Sequence, residues 1–169
     1  TTLPYPPCDE GDELTLVADG GQYTSFTLKA KCIARLEFAG PVKLGKGTPL
    51  ALTWKPPSEP DFTRIQLRMD ISHHGGSRGR IECDVPDNGK LEIATALTDK
   101  LLDLGVAGFP SVSLTRIASG GSGDAEPKQV RFNVQESVER VIEIAGLVSC
   151  ADSTQCTPPA TCQSDLTCK

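Results

Sequence analysis

Alternation with a period of two runs through most of this chain. Ile65, Leu67, Met69 and Ile71 interleave with Gln66, Arg68 and Asp70. Ile81, Cys83 and Val85 interleave with Glu82 and Asp84, and Leu50, Leu52 and Trp54 with Ala51 and Thr53. Cys32, Ala34, Leu36 and Phe38 share one phase, as do Val112 and Leu114, Val130, Phe132 and Val134, and the run Val138, Arg140, Ile142, Ile144. Leu14, Leu16, Phe26 and Leu28 are weaker starts near the N-terminus. A strand turns successive side chains to opposite faces, so each run predicts one face on a core and one in water. The chain has 16 glycines and 13 prolines among 169 residues, about one residue in six, which favours many turns over long helices. Seven to nine short strands separated by turns predict an all-β fold, an antiparallel β-sandwich of immunoglobulin-like architecture.

One segment departs from that period. Leu97, Leu101 and Leu104 are spaced four and three apart, which predicts a short helix from Thr95 to Leu104. Thr95 is the expected N-cap and Gly105 the residue past the C-cap. Its leucines are expected to pack on the core. Pro86-Asp87-Asn88-Gly89 lies between Val85 and Leu91, and Asn-Gly predicts a hairpin turn because both residues tolerate positive φ. Pro56-Pro57-Ser58-Glu59-Pro60 closes the Trp54 strand, and Ser119 to Asp124 reads as a polar loop.

The last part of the chain follows different rules. Cys150, Cys156, Cys162 and Cys168 are each separated by five polar, turn-forming residues that contain almost no core material. Such a segment is ordered by cross-links or by metal. Zinc ligands usually come in pairs two to four residues apart, and no histidine is near, so two disulfides are expected. The interleaved pairing Cys150–Cys162 with Cys156–Cys168 is preferred among three. Disulfides of this kind belong to an oxidising compartment. Cys32 and Cys83, both on apolar phases, are expected to bridge within the core. That leaves Cys8 as a free or intermolecular thiol; Cys8–Cys83 is the competing pair. The division expected is an extended N-terminal arm over 1–11, a sandwich over 12–146 and a cysteine-rich tail over 147–169.

Net charge is −5, and no apolar stretch is long enough to span a bilayer. Neither nucleic acid nor a transmembrane segment is therefore expected. Gly40 to Gly47 matches seven positions of a phosphate loop, but Gly47 stands where Ser or Thr would hold magnesium, and a strand pattern follows where a helix is needed. The acidic cluster Asp9, Glu10, Asp12 and Glu13 is too short for an EF-hand. Ser122 has no downstream histidine to form a nucleophile triad, and no zinc-protease motif is present. No cofactor, no metal and no catalysis are expected. The stretch Ser72 to Arg80 stands out because it holds both histidines. His73, His74, Arg78 and Arg80 form a candidate ligand loop, read against the simpler alternative of a solvated hairpin tip.

The run Ile81 to Ile93, the leucine helix and Ser111-Val112-Ser113-Leu114-Thr115-Arg116 together resemble a domain of uncharacterised secreted proteins and lipoproteins of myxobacterial type. The cysteine tail is similar to short tails in the same kind of protein. The resemblance covers about the second half of the chain and implies export and a cell-envelope setting, with no catalytic residue. A secreted or cell-surface structural module is therefore expected, acting through protein–protein contact, including contact with its own copies through the N-terminal arm. The rival is a ligand- or metal-binding domain that uses the 72–80 loop.

Overall fold

In the computed structural model, most of the alternating segments form strands. The structure describes residues 7–22, 24–121 and 130–169. The first six positions of the expected arm, and the part of the Ser119–Asp124 loop from Ser122 onward, lie outside these. The strands are β1 (Glu13–Ala18), β2 (Phe26–Lys31), β3 (Val42–Leu44), β4 (Leu50–Thr53), β5 (Thr63–Asp70), β6 (Arg80–Pro86), β7 (Lys90–Ile93), β8 (Ser111–Ser119) and β9 (Asn133–Ile144). Among the described residues one α-helix, α1 (Thr95–Asp103), joins them.

Five strands make the main sheet, in the order β3-β9-β8-β5-β6. Its inner face carries Ile65, Leu67 and Met69 from β5, Val112 and Leu114 from β8, and Ile142 from β9, all essentially without solvent contact. Facing them in one continuous core are Leu50, Leu52 and Trp54 of the β4–β7 pair, Leu36 and Phe38, and Leu101 of α1. Each large aliphatic side chain buried this way contributes about 1.5–3 kcal/mol. The outer face is polar, with Arg64, Gln66 and Arg68 exposed on β5.

Several expectations are corrected by the pairing. Not every pair is antiparallel: β3 runs parallel to β9, with Val42 beside Ile142. The Asn88-Gly89 turn does not close a hairpin. β6 pairs with β5 whereas β7 pairs with β4, so Pro86–Gly89 carries the chain from the main sheet to the opposite pair. Gly89, at φ +87°, also lets the Trp54 carbonyl approach, since a Cβ there would lie 3.2 Å from that oxygen. Residues 32–37 form no ladder; the next residue, Phe38, makes an isolated bridge to Trp54. In α1 the N-cap is Ala94, not Thr95. Gly105 does follow the helix with φ +87°. The helix turns Thr98 and Leu101 inward and leaves Leu97 and Leu104 half exposed. Burial of Thr98 is tolerated because its hydroxyl donates to the Thr95 carbonyl at 2.9 Å.

Three disulfides form: Cys8–Cys32, Cys150–Cys162 and Cys156–Cys168. The tail pairs are the interleaved ones. The expected Cys32–Cys83 bridge is absent, as is the competing Cys8–Cys83 bridge; Cys8 is neither free nor intermolecular, and Cys83 is the free thiol. The reason lies in the β1–β2 hairpin. The Gly11 N–H donates to the Cys32 carbonyl (3.0 Å) and the Cys32 N–H to the Asp12 carbonyl (2.8 Å), which lays the chain before β1 alongside Cys32. Cys83 sits on β6, the outermost strand of the other sheet, opposite Leu67. Burial pushes its thiol pKa up, towards the unreactive neutral form.

Candidate functional site

An arginine on the apolar phase of a strand is the first sign of a built site. Arg116 follows Leu114 on the inner face of β8 and is wholly buried with Asp87. Its Nε donates to Asp87 Oδ2 at 2.5 Å and one Nη to Asp87 Oδ1 at 3.2 Å. The remaining N–H groups reach the carbonyls of Ala34 (3.0 Å), Arg35 (2.9 Å) and Lys55 (2.7 Å). All five guanidinium donors are thereby used. Asp87 also accepts from Trp54 Nε1 at 2.7 Å and from the Thr63 hydroxyl at 3.0 Å. A buried ion pair persists when its desolvation is offset by such complete hydrogen bonding. The consequence is positional: the hub fixes residues 34–37 and Lys55 beside β9.

What it holds there is an open sheet edge. β3 covers only Ile142–Ile144 of β9, so among the described residues Asn133–Val141 have no strand on that side. The Ile142 N–H donates to Pro110 and the Phe132 carbonyl accepts from Gly120, so even-numbered positions face β8. Odd positions 135, 137, 139 and 141 therefore turn their backbone groups to the open side. Arg140 caps one of them, its Nη1 donating to the Glu139 carbonyl at 2.8 Å. The segment 35–39 runs alongside. It is tied to β4 through Lys55 N–H to Glu37 O (3.1 Å), and it meets β9 through Leu36 N–H to the Glu136 carboxylate (2.7 Å).

Between them lies a groove of about 850 Å³, lined by Leu36, Phe38, Lys55, Glu136, Val138 and Arg140 among others. A second groove of about 860 Å³ shares Arg35, Glu37, Lys55 and Glu136 with it and ends at Pro7, Cys8 and Pro56. The charges in it are matched. Lys55 and Glu37 are 2.9 Å apart, and that hydrogen bond holds the Glu37 carboxyl below, and the Lys55 ammonium above, their ordinary pKa ranges. Arg35 lies 3.9 Å from Glu136. Charged side chains on the inward phase of an edge strand, here Glu136 and Arg140, discourage indiscriminate edge pairing. Matched charges and backbone groups turned to the open side suit an extended peptide strand, whose main chain supplies affinity and whose side chains supply selectivity.

The 72–80 loop packs against the 106–109 segment and the tail through His73 and Gly75, while Gly76, Ser77 and Arg78 are exposed. The His73 carbonyl accepts from Phe109 N–H (2.8 Å), and the Gly108 N–H donates to the Asp165 carbonyl (2.7 Å). A Cβ on Gly75 would lie 2.3 Å from the Gly108 nitrogen and 2.7 Å from the Asp165 oxygen, so only glycine allows this approach. Ser72 is buried, with its N–H and hydroxyl both on Asp70, and its oxygen accepts from Arg78 N–H at 3.0 Å. His73 and His74 have ring centroids 4.0 Å apart. Among the described residues neither belongs to a cluster of three metal-ligating side chains. Arg80 is engaged by Glu82 at 3.1 Å. Likewise, the phosphate-loop-like stretch holds β3 and a turn in which Gly47 N–H donates to Asp99 (2.9 Å) and Lys46 pairs with Asp103.

The β9 edge gave no motif to read, because an unpaired edge is a property of sheet order. Arg116 did leave a trace, as a charge on an otherwise apolar phase. No protein-family model, no curated protein and no solved structure matches the chain.

Proposed function

We propose that the protein is a secreted or cell-surface structural module of adhesion type, an immunoglobulin-like sandwich that acts by protein–protein contact rather than catalysis. Its acceptor is the open edge of β9, and the strand it accepts is the N-terminal arm of a second copy. The observation that carries this reading is that among the described residues Asn133–Val141 have a strand on the β8 side only, beside a groove whose lining includes residues at the root of the arm itself. Because Cys8 is bridged to Cys32, the seven residues before it are the donor. Fully extended they reach about 23 Å. In the sequence of that donor Thr1, Leu3 and Tyr5 share one phase and Pro4 and Pro6 the other, so pairing through the first phase loses no ladder donor to proline before Pro7. Three disulfides fit an oxidising, extracellular setting. Among the described residues no helix is long and apolar enough to cross a membrane.

The test is light scattering over a wide concentration range. The intact chain is expected to associate as concentration rises, with or without reductant. Ser137→Pro, which removes a donor from the open side of β9 while sparing the backbone bonds to β8, and deletion of residues 1–7 are each expected to leave a folded monomer. An intact chain that stays monomeric throughout, or association that survives both changes, overturns the reading.

A further inference from the structure

The tail gathers its cysteines along a short backbone ladder as well as through its cross-links. Cys150 N–H donates to Leu166 O (3.0 Å) and Cys168 N–H to Val148 O (2.9 Å), which lays 148–150 beside 166–168. Thr161 and Lys169 exchange two backbone bonds (2.9 and 3.1 Å), and Gln163 N–H donates to Thr167 O (2.9 Å). These set Cys162 opposite Cys168 across an antiparallel bridge. Cys156 follows a single 3-10 turn, Ser153–Gln155, whose start is capped by the Asp152 carboxylate. As a result the sulfurs of Cys150, Cys156 and Cys168 lie within 4.8 Å of one another, although they belong to two different disulfides. The fourth sulfur, that of Cys162, is bonded to the first. Cys150 and Cys156 are buried.

We propose that, once both tail disulfides are reduced, Cys150, Cys156, Cys162 and Cys168 form a four-thiolate site for one soft divalent cation of the zinc or cadmium class. With Zn–S bonds of about 2.3 Å, a tetrahedral site spaces its sulfurs roughly 3.8 Å apart. That is within the span the three clustered sulfurs already occupy. The uniform five-residue spacing is wider than in ordinary zinc sites; proximity here comes from the ladder, not from neighbouring positions in the chain. The tail's two aspartates are committed elsewhere, Asp152 to Thr154 and Asp165 to Thr167 and Lys169. An all-sulfur set selects thiophilic cations over calcium or magnesium.

The chemistry balances with a phosphine as reductant. Each disulfide takes two electrons from one phosphine and two protons from water, giving two thiols and a phosphine oxide that keeps the water oxygen. Binding of the cation then displaces the four thiol protons. The site thus belongs to the tail before its cross-links form or after they are removed.

The experiment uses the full chain, reduced with a phosphine without oxygen and titrated with Co²⁺ as a visible substitute for zinc. One equivalent per chain is expected to produce the sulfur-to-cobalt charge-transfer band and the d–d band of a tetrahedral thiolate site. Zn²⁺ then abolishes both, and about four protons are released per metal. The oxidised chain is expected to give no band. Cys83→Ser is expected to keep the band, and the chain with all four tail cysteines changed to serine, which retains Cys8, Cys32 and Cys83, is expected to lose it. No band in the reduced chain, a band that persists in the four-serine chain, or loss of the band on Cys83→Ser overturns the proposal.

Discussion

The body and the tail of this molecule stay ordered by opposite means. From β1 to β9 the chain buries apolar faces against one another, and the polar groups it takes inside, Arg116 and Asp87, are fully hydrogen-bonded. From Leu147 onward there is little to bury: Cys150, Cys156 and Thr167 are its only buried side chains. Two interleaved disulfides and a short backbone ladder do the work that the core does elsewhere. The two regions meet through backbone, where Gly75 and Gly108 approach Asp165. A single chain can therefore hold one part by the hydrophobic effect and another by restricting its unfolded states, provided the contact between them is small.

The largest effect that would sharpen this contrast is expected in the body. Arg116→Met leaves the Asp87 carboxylate buried beside Trp54 and Thr63 alone and strips three carbonyls of their partner. Loss of one member of a buried pair costs about 3–5 kcal/mol. Urea unfolding is expected to show that loss; a change below about 1 kcal/mol, the scale of an exposed pair, would mean the hub is not structural.

Next is the tail. Changing both Cys156 and Cys168 to serine removes a ring closed over a sequence separation of 12, and is expected to cost the tail roughly 3 kcal/mol. Hydrogen exchange is the measurement. The amides of Cys150 and Thr161 are expected to exchange faster while those of β5 and β8 keep their protection. Equal acceleration in both regions would break the separation argued above.

Gly75→Ala probes the seam. The new methyl meets backbone on both sides and is expected to cost on the order of 1–3 kcal/mol. The expected sign is faster proteolysis between β9 and Cys150, with a smaller shift in the unfolding of the body.

The smallest effect is one of pH. Lys169 and Thr167 hold the Asp165 carboxyl at about 2 in the folded tail. An unfolded Asp titrates near 3.9. Because the folded value is the lower one, the carboxylate's contribution is fully present above about pH 4, with the unfolded pKa from the reference scale, and fades as pH falls towards 2. Exchange at the Gly108 amide, which donates to Asp165, is expected to quicken over that window once corrected for intrinsic rates. Asp165→Asn is expected to remove the pH dependence.

Much of the layout could be read from residue order. Period-two alternation located β4, β5, β6, β8 and β9, because a half-buried strand writes its two faces into its own residues. The leucine spacing located α1, and the polar spacers announced a cross-linked tail. Pairing was harder. Asn88-Gly89 has the local chemistry of a hairpin, yet here the same positive-φ glycine serves a crossing between sheets, since local backbone preference says nothing about which strand comes next to which. Cys32 and Cys83 both sit on apolar phases, which is a statement about faces; their separation depends on sheet order, and the chain before β1 reached Cys32 first. Leu97 and Leu104 share a face of α1, but the roll of that helix was set by Thr98 and Leu101.

From residue order alone came an all-β body with one helix, and a tail that needs covalent help; both follow from short-range physics, the pleat and the lack of apolar spacers. Tertiary structure alone decided that Arg116 and Asp87 meet, that among the described residues one side of β9 has no strand beside it over Asn133–Val141, and that the histidine loop serves as the seat of the tail. Those facts depend on contacts between residues far apart in the chain, and no local pattern encodes the distance that folding closes.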